Sequence, residues 1–163
     1  MATTAKGTQI GVVRAHITRK HPPVRRATFE STGETATYGV PGEQAEFYEM
    51  PAEGPHQEHA STFDHVLGAL GSCLTGTLGK AFSVRDIDPL EGRLTAVAEG
   101  DIEVDDEGVM IMHRVRVKYR LVAPPDKREA AERAHKHHVV ACGVAKSLGP
   151  ALDISTELEI VDA

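Results

Sequence analysis

Short segments in which apolar and polar residues alternate fill the first third of the chain, and they predict β-strands. The predicted strands cover residues 8–17, 24–30, 35–40 and 45–50. They are separated by residues typical of turns, namely Pro22-Pro23, Ser31-Thr-Gly-Glu34 and Pro41-Gly42. Strands joined by such short turns favour an antiparallel meander. The next residues, 51–60, are rich in Pro, Gly, Glu and His and predict a loop.

From residue 61 onward the apolar residues recur at three- and four-residue spacing, which predicts a helix over residues 61–82. Ser61 fits the N-cap position, and Asp64 supplies the acidic partner of a capping box three residues later. Each glycine in this segment weakens an isolated helix by roughly 1 kcal/mol. We therefore expect a buried central helix whose small residues let a neighbouring element approach closely; these residues are Gly68, Gly71, Gly76 and Gly79.

The second half of the chain predicts two long strands, a second helix and a last strand. Residues 94–103 and 109–122 are the two strands, with Val115, Val117, Tyr119 and Leu121 on a buried face and Arg114, Arg116, Lys118 and Arg120 on a solvated one. Pro124 opens the second helix, Gly149-Pro150 ends it, and residues 154–161 alternate again. This order predicts an α+β fold with antiparallel sheets packed on a long central helix.

One domain is expected over residues 1–163. Within it, residues 1–22 are an N-terminal extension or strand, 23–60 the N-terminal strands and loop, 61–82 the central helix, and 90–163 the remaining strands and the second helix.

Composition and charge narrow the class of function. Of the 163 residues, 40% are hydrophobic and 26% charged, as in an ordinary soluble domain. The formal net charge of -6 argues against a general nucleic-acid-binding protein. The sequence has no run of about eighteen apolar residues, which argues against a membrane span. The N-terminus lacks the apolar stretch of a secretory signal, so we expect a cytoplasmic location.

Cys73 and Cys142 are the two cysteines of the chain, and each lies late in a segment predicted to be helical. Neither is surrounded by metal-binding spacing such as Cys-x-x-Cys. In a reducing cytoplasm, a lone cysteine pair is more often catalytic or redox-sensing than structural. The pair therefore suggests a thiol redox enzyme with one attacking and one resolving thiol. The alternative is that both are small buried core residues, a common role for free cysteine.

Two segments carry a resemblance to a known family. Thr62-Phe-Asp-His-Val-Leu-Gly-Ala-Leu-Gly-Ser-Cys73 resembles a family segment in which a Pro-x-Glu-type start runs into Leu-Leu-Ala-Ala-Leu-Gly-x-Cys. Ala141-Cys-Gly-Val-Ala-Lys146 is similar to a second signature, usually Cys-Pro-Val-Ser. The family is that of the osmotically inducible and organic-hydroperoxide-resistance proteins, OsmC/Ohr. The resemblance runs from about residue 25 to residue 161 and includes the order of the elements.

The resemblance implies an intertwined homodimer of α+β subunits with active sites where two chains meet. It also implies a cysteine-based peroxidase that reduces organic hydroperoxides without a bound cofactor. The implied reductant is an external dithiol such as dihydrolipoamide, or a lipoylated protein as a partner. Family members pair the attacking cysteine with an arginine from the N-terminal strands and a glutamate near the start of the central helix.

Carried onto this sequence, the resemblance makes Cys73 the attacking thiol. A thiolate is the reactive form, and a cation lowers the pKa of a thiol toward neutrality. By position the cation is Arg25 or Arg26, with Arg19 behind them, and Asp64 would orient that arginine. Cys142 would be the resolving thiol, which attacks the sulfenic acid on Cys73 and forms a disulfide. Apolar residues near Cys73 (Phe63, Val66 and Leu70) would favour organic peroxides over hydrogen peroxide.

The sequence also departs from the family pattern, which indicates a divergent member. Asp64 stands nine residues before Cys73, where it would replace the family's glutamate with a shorter acid. The position ten residues before Cys73 is Phe63, the usual proline is Thr62, and the proline after the second cysteine is Gly143. These departures leave open a redox sensor or a small-ligand-binding protein of the same fold, without peroxidase turnover.

Two further groups of residues have competing interpretations. His135, His138 and Cys142 share a helix face, so a metal site is conceivable, although exposed or partly buried histidines that bind substrate or donate a proton fit the pattern better. The basic residues that alternate from Arg114 to Arg120 fit a solvated strand face better than a docking site for an acidic partner.

Overall fold

Two three-stranded sheets and four α-helices make up residues 7–163, the part of the chain that the computed structural model describes. The chain divides into two compact units between Thr62 and Phe63. The first six residues of the predicted N-terminal extension lie outside the described residues. Among residues 7–163, no helix has both the length and the apolar character needed to cross a membrane.

The N-terminal unit contains an antiparallel meander, as predicted. Its strands are β1 (Ala15–Arg19), β2 (Arg25–Phe29) and β3 (Thr35–Tyr38), in the order β1-β2-β3. The strand predicted over residues 8–17 is wrong in its first part, because β1 begins at Ala15. Ala15 pairs with Phe29, the last residue of β2, and the main-chain hydrogen bond from Glu30 N–H to the Arg14 carbonyl is the last contact beyond that pair.

A short helix replaces the strand that the sequence predicts over residues 45–50. This helix, α1 (Glu43–Phe47), follows Gly42, whose φ of 56° lies in the left-handed region that glycine adopts without strain. Glu43 and Glu46 lie in its first turn, where they interact favourably with the positive end of the helix dipole. Ala45 is buried. The predicted strand is therefore wrong. A single buried alanine is compatible with the two-residue period of a strand and equally with one turn of a helix.

The C-terminal unit is built on a mixed sheet in the order β4-β5-β6. Its strands are β4 (Leu94–Val104), β5 (Met110–Ala123) and β6 (Asp153–Asp162). The pair β4/β5 is antiparallel, but β6 runs parallel to β5, which corrects the expectation of antiparallel sheets at this edge. The chain reaches β6 by crossing over through helices, and such a connection returns it in the same direction. The alternation predicted along β5 is confirmed, with Val115, Val117, Tyr119 and Leu121 buried.

The central helix is α2 (Thr62–Ser83), within one residue of the prediction at each end. Leu70, Leu74, Leu78 and Phe82 are fully buried and belong to the core of the C-terminal unit. Burying each such side chain stabilises the folded state by about 1.5–3 kcal/mol.

The glycines of α2 divide into two pairs. At Gly71 a Cβ would lie 3.1 Å from the Cβ of Ala98 on β4, so this glycine permits the close approach that the sequence predicts. Gly79 faces Leu94 and Pro89 at ordinary van der Waals distance. Gly68 and Gly76 have open space beside them, so close packing within this chain does not explain them.

The predicted second helix is two helices, α3 (Arg128–Ala141) and α4 (Gly143–Leu148). A 3₁₀ turn over Pro125–Lys127 leads into α3. Cys142 lies between the helices with extended backbone angles, φ −80° and ψ 117°, so the prediction that Cys142 lies within a helix is wrong. Its Sγ accepts a hydrogen bond from the Ala145 N–H at 3.4 Å, which makes the thiol the N-cap of α4.

Candidate functional site

The two thiols lie side by side. Cys73 projects from the middle of α2, and Cys142 lies at the break between α3 and α4. The Cys142 thiol donates a hydrogen bond to the Cys73 sulfur, and the two Sγ atoms are 3.1 Å apart. A disulfide bond is about 2.05 Å long, so oxidation requires an approach of only about 1 Å. Cys142 is fully buried and Cys73 half-buried, which leaves Cys73 as the thiol that solvent reaches.

The surroundings shift the pKa values of the two thiols in opposite directions. The pKa of Cys73 is lowered, first by the hydrogen bond from Cys142 and then by the N–H groups of Val144 and Gly143 at the start of α4. The pKa of Cys142 is raised, first by burial and then by its interaction with Cys73. Of the two thiols, Cys73 is therefore the one that loses its proton first, while Cys142 keeps its own.

Thr77 is a site residue that the sequence interpretation missed. It lies one helical turn after Cys73, and its hydroxyl donates to the Cys73 carbonyl at 2.9 Å. The same hydroxyl lowers the pKa of both thiols through side-chain hydrogen bonding. Residues four positions apart lie on the same face of a helix, so the spacing between Cys73 and Thr77 is a signal that the sequence already contains.

Arg25, a predicted partner of the thiolate, is held at the start of the central helix. Its guanidinium donates to the carbonyl of Gly39 and to the hydroxyl of Thr62, each at 3.3 Å. Arg26 is the next residue of β2 and its side chain is exposed, as is Arg19, which pairs with Arg25 across the sheet. Within the C-terminal unit, hydrogen bonds from neutral groups already lower the pKa of Cys73. A contact of either arginine with the thiolate stays a prediction.

Asp64 lies on a different side of α2 from Cys73. Nine residues separate them, which corresponds to about 180° around a helix of 3.6 residues per turn. Asp64 lines a groove of about 860 Å³ between α2 and β4, together with Gly68 and Gly71. Helix α2 by itself therefore does not bring the acid to the thiol, and the orienting role of Asp64 stays a prediction.

The histidines near Cys142 and the basic residues of β5 are the two remaining groups that the sequence singled out. No cluster of three His, Cys, Asp or Glu side chains in residues 7–163 has the arrangement of a metal site. The basic residues of β5 are paired with acids on β4: Arg116 with Asp101 at 2.6 Å and Lys118 with Glu99 at 2.9 Å. Arg116 lowers the pKa of Asp101 to about 2. These cross-strand pairs fit a solvated sheet face.

The fold and the thiol pair define a class, an α+β protein whose two neighbouring cysteines meet between a central helix and a helix break. Within this class, the chain belongs to the OsmC-like protein family, because the profile of that family matches residues 55–157, more than half of the chain. The family predicted from the sequence is thereby confirmed. Comparison with curated proteins gave no match.

Solved structures show the same fold at low sequence identity. An OsmC-like protein of unknown function from Vibrio cholerae has a TM-score of 0.72 and 15% identity, over 92% of this chain and 100% of that one. An organic hydroperoxide resistance protein OsmC from Legionella pneumophila has a TM-score of 0.69 and 10% identity, over 93% and 99%. The organic hydroperoxide resistance protein OhrB of Bacillus subtilis has a TM-score of 0.63 and 12% identity, over 93% and 100%.

The hydrogen bond from Cys142 is expected to control the acidity of Cys73. Cys142→Ala removes the donor, so the pKa of Cys73 is expected to rise and its alkylation by iodoacetamide near neutral pH to slow several-fold. Cys142→Ser is the matched control, because its hydroxyl still donates to the thiolate. The measurement is the alkylation rate of Cys73 against pH in both variants. Equal midpoints in the two variants would show that the hydrogen bond is not the cause.

Proposed function

We propose that this protein is a cysteine peroxidase that reduces organic hydroperoxides. The observation that carries the proposal is the 3.1 Å thiol pair in which Cys73 has the lowered and Cys142 the raised pKa. A peroxide requires a thiolate to attack it and a second thiol, close by, to resolve the product. Membership of the OsmC-like family and the names of two structural neighbours support the same chemistry.

The proposed reaction has three steps. The Cys73 thiolate attacks one peroxide oxygen, the O–O bond breaks, and the alkoxide leaves as an alcohol after taking a proton. The resulting Cys73 sulfenic acid is attacked by Cys142, so that the S–S bond forms and water leaves. An external dithiol then reduces the disulfide to the two thiols. Dihydrolipoamide or a lipoylated protein is the proposed reductant, and Arg25 or Arg26, oriented by Asp64, would stabilise the leaving alkoxide.

Side chains on the Cys73 face of α2 support an organic substrate. Val66 and Leu70 precede Cys73 by seven and three residues, which places them on the same face of the helix. Leu70 is fully buried, and Val66 and Phe63 pack half-buried against the core. The partly exposed Val66 and Phe63 therefore offer an apolar alkyl group contacts that hydrogen peroxide does not make.

A groove along α2 supports a homodimer. It is lined by small residues, and Gly68 and Gly76 border open space in it. Small residues on a helix let a second backbone approach closely, so a second copy of the chain is the proposed occupant. The proposed protein acts in the cytoplasm, where dithiol reductants are present.

A redox cycle is the first expected outcome. One equivalent of cumene hydroperoxide should remove two hydrogens from the reduced protein and link the peptides of Cys73 and Cys142, because the resolving thiol lies within reach. Dihydrolipoamide should restore the two thiols. Mass spectrometry with peptide mapping measures both steps, and Cys73→Ser should show neither. Stoichiometric oxidation without cycling would instead identify a redox sensor, and an unchanged mass would contradict the proposed enzyme.

Substrate preference is the second expected outcome. We expect kcat/KM with cumene hydroperoxide to exceed that with hydrogen peroxide by about tenfold or more, because apolar contacts contribute on this scale to discrimination. Steady-state rates with dihydrolipoamide as reductant measure the ratio. Equal values for the two peroxides would contradict the assignment of an organic substrate.

Self-association is the third expected outcome. Gly76→Leu fills the groove with a branched side chain and should convert the proposed dimer to a monomer, as measured by analytical ultracentrifugation. Gly11→Leu is the control, because Gly11 also borders open space but is far from the groove in sequence. A wild-type protein that sediments with the mass of one chain would rule out the homodimer.

A further inference from the structure

The sulfurs of Cys73 and Cys142 are positioned to share one bound atom. Their Sγ atoms are 3.1 Å apart, and both cysteines are free thiols. Cys73 packs half-buried against the core from the middle of α2. Cys142 has no exposed surface and is held at the start of α4 by the Ala145 N–H. The fold therefore fixes the separation of the two sulfurs before any ligand arrives, and such preorganisation lowers the cost of binding.

The separation of the sulfurs selects the geometry of an atom that bridges them. A thiolate bonds zinc at about 2.3 Å, and the bond from sulfur to arsenic(III) has a similar length. Two such bonds at a right angle place the sulfurs about 3.3 Å apart, whereas tetrahedral bonds require about 3.8 Å and linear bonds about 4.6 Å. The observed 3.1 Å agrees best with bonds at a right angle.

Trivalent arsenic has this geometry. Its lone pair makes the atom pyramidal, with bonds nearly at right angles, and thiolates are the ligands that such soft centres prefer. Zinc requires four ligands, and no group of three His, Cys, Asp or Glu side chains in residues 7–163 is arranged to hold a metal ion. A linear centre such as mercury(II) would need the sulfurs to separate by about 1.5 Å, although Cys142 is fully buried.

The number of cysteines selects an arsenical that carries one organic group. The chain has two cysteines, so a single chain supplies two sulfurs and no third. Arsenous acid has three exchangeable hydroxyls and is best satisfied by three thiolates. A compound of the type R–As(OH)₂ has two exchangeable hydroxyls and a carbon bond that does not exchange. Two sulfurs therefore complete the coordination of this second type of compound.

We propose that Cys73 and Cys142 form a binding site for organic arsenic(III) compounds of the type R–As(OH)₂. Cys73, the thiol that solvent reaches, bonds the arsenic first, and Cys142 then closes the chelate. Two As–O bonds break and two As–S bonds form, and the two thiol protons leave with the two hydroxyls as water. Arsenic stays trivalent and both sulfurs stay reduced, so the step needs no oxidant or reductant. The site does not depend on the proposed peroxidase activity.

Phenylarsine oxide, which water converts to the dihydroxy compound, is the probe. One equivalent, added to the reduced protein, should raise its mass in native mass spectrometry by one phenylarsenic group less two hydrogens. Cys73→Ser and Cys142→Ser each keep one sulfur and should bind the probe about a hundredfold more weakly, or less, since the second bond of a linked pair contributes on this scale. Val84→Ser, at an exposed position of α2, is the control and should bind like the wild type.

The wild-type chain provides a test that does not depend on whether a variant folds. The two cysteines are 69 residues apart in sequence, so only the fold holds their sulfurs together. Unfolding the reduced chain in urea should weaken binding of phenylarsine oxide by about a hundredfold or more. In the absence of urea, the probe should raise the midpoint of thermal unfolding, because it binds the folded state preferentially. Equal affinity for the folded and unfolded chains would contradict the proposed site.

Release of the probe distinguishes a chelate from a single As–S bond. Dimercaptopropanol, a dithiol, should remove the phenylarsenic group, whereas mercaptoethanol at the same concentration of thiol groups should leave most of it bound. Equal removal by both reagents, or a loaded protein in which one cysteine is still alkylated by iodoacetamide, would contradict the chelate. Arsenite that binds as tightly as phenylarsine oxide would contradict the choice of an organic arsenical.

The outcome for this site and the outcome for the peroxidase are separate. Every measurement of arsenic binding is made on reduced protein without peroxide. A chain that chelates phenylarsine oxide but leaves cumene hydroperoxide unreduced would overturn the proposed function and support the arsenic site. A chain that reduces cumene hydroperoxide but does not chelate the probe would overturn the arsenic site alone.

Discussion

The packing of α2 against the C-terminal sheet determines where the chemistry takes place. Leu70, Leu74, Leu78 and Phe82 commit one face of the helix to the core. Cys73 lies beside that face, so it is half-buried and cannot rotate away without exposing apolar surface. Because Gly71 permits close approach to Ala98, the helix lies near β4, and Cys73 itself packs against the core.

The break between α3 and α4 completes the site. An uninterrupted helix would direct the N–H of Gly143 and Val144 into its own hydrogen bonds. The extended backbone of Cys142 releases these amides, and they stabilise the thiolate on Cys73 instead. The same residue donates its thiol proton to Cys73 and caps α4. One backbone irregularity thus positions the Cys142 thiol and supplies the hydrogen bonds that lower the pKa of Cys73.

Burial and hydrogen bonding give the two thiols different pKa values. In a medium of low polarity a charge is costly unless hydrogen bonds reach it. Cys73 receives such bonds and becomes the stable site of negative charge, whereas Cys142, fully buried, keeps its proton. In the proposed peroxidase, this asymmetry favours attack by Cys73 and opposes attack by Cys142, because Cys142 must still lose its proton.

The spacing of leucines along α2 and the alternation along β5 determine those elements locally, because a helix and a strand each impose their own period on apolar residues. The two cysteine motifs, through their resemblance to a family, also predict that Cys73 and Cys142 act as a pair. The strand predicted over residues 45–50 is wrong because a single buried alanine carries too little periodicity to distinguish strand from helix. The break at Cys142 escapes prediction because apolar spacing continues on both sides of it. The amides freed at Cys142 and the 3.1 Å distance between the two sulfurs become visible only in the tertiary structure, since they bring together α2 and the start of α4, which are far apart in the chain.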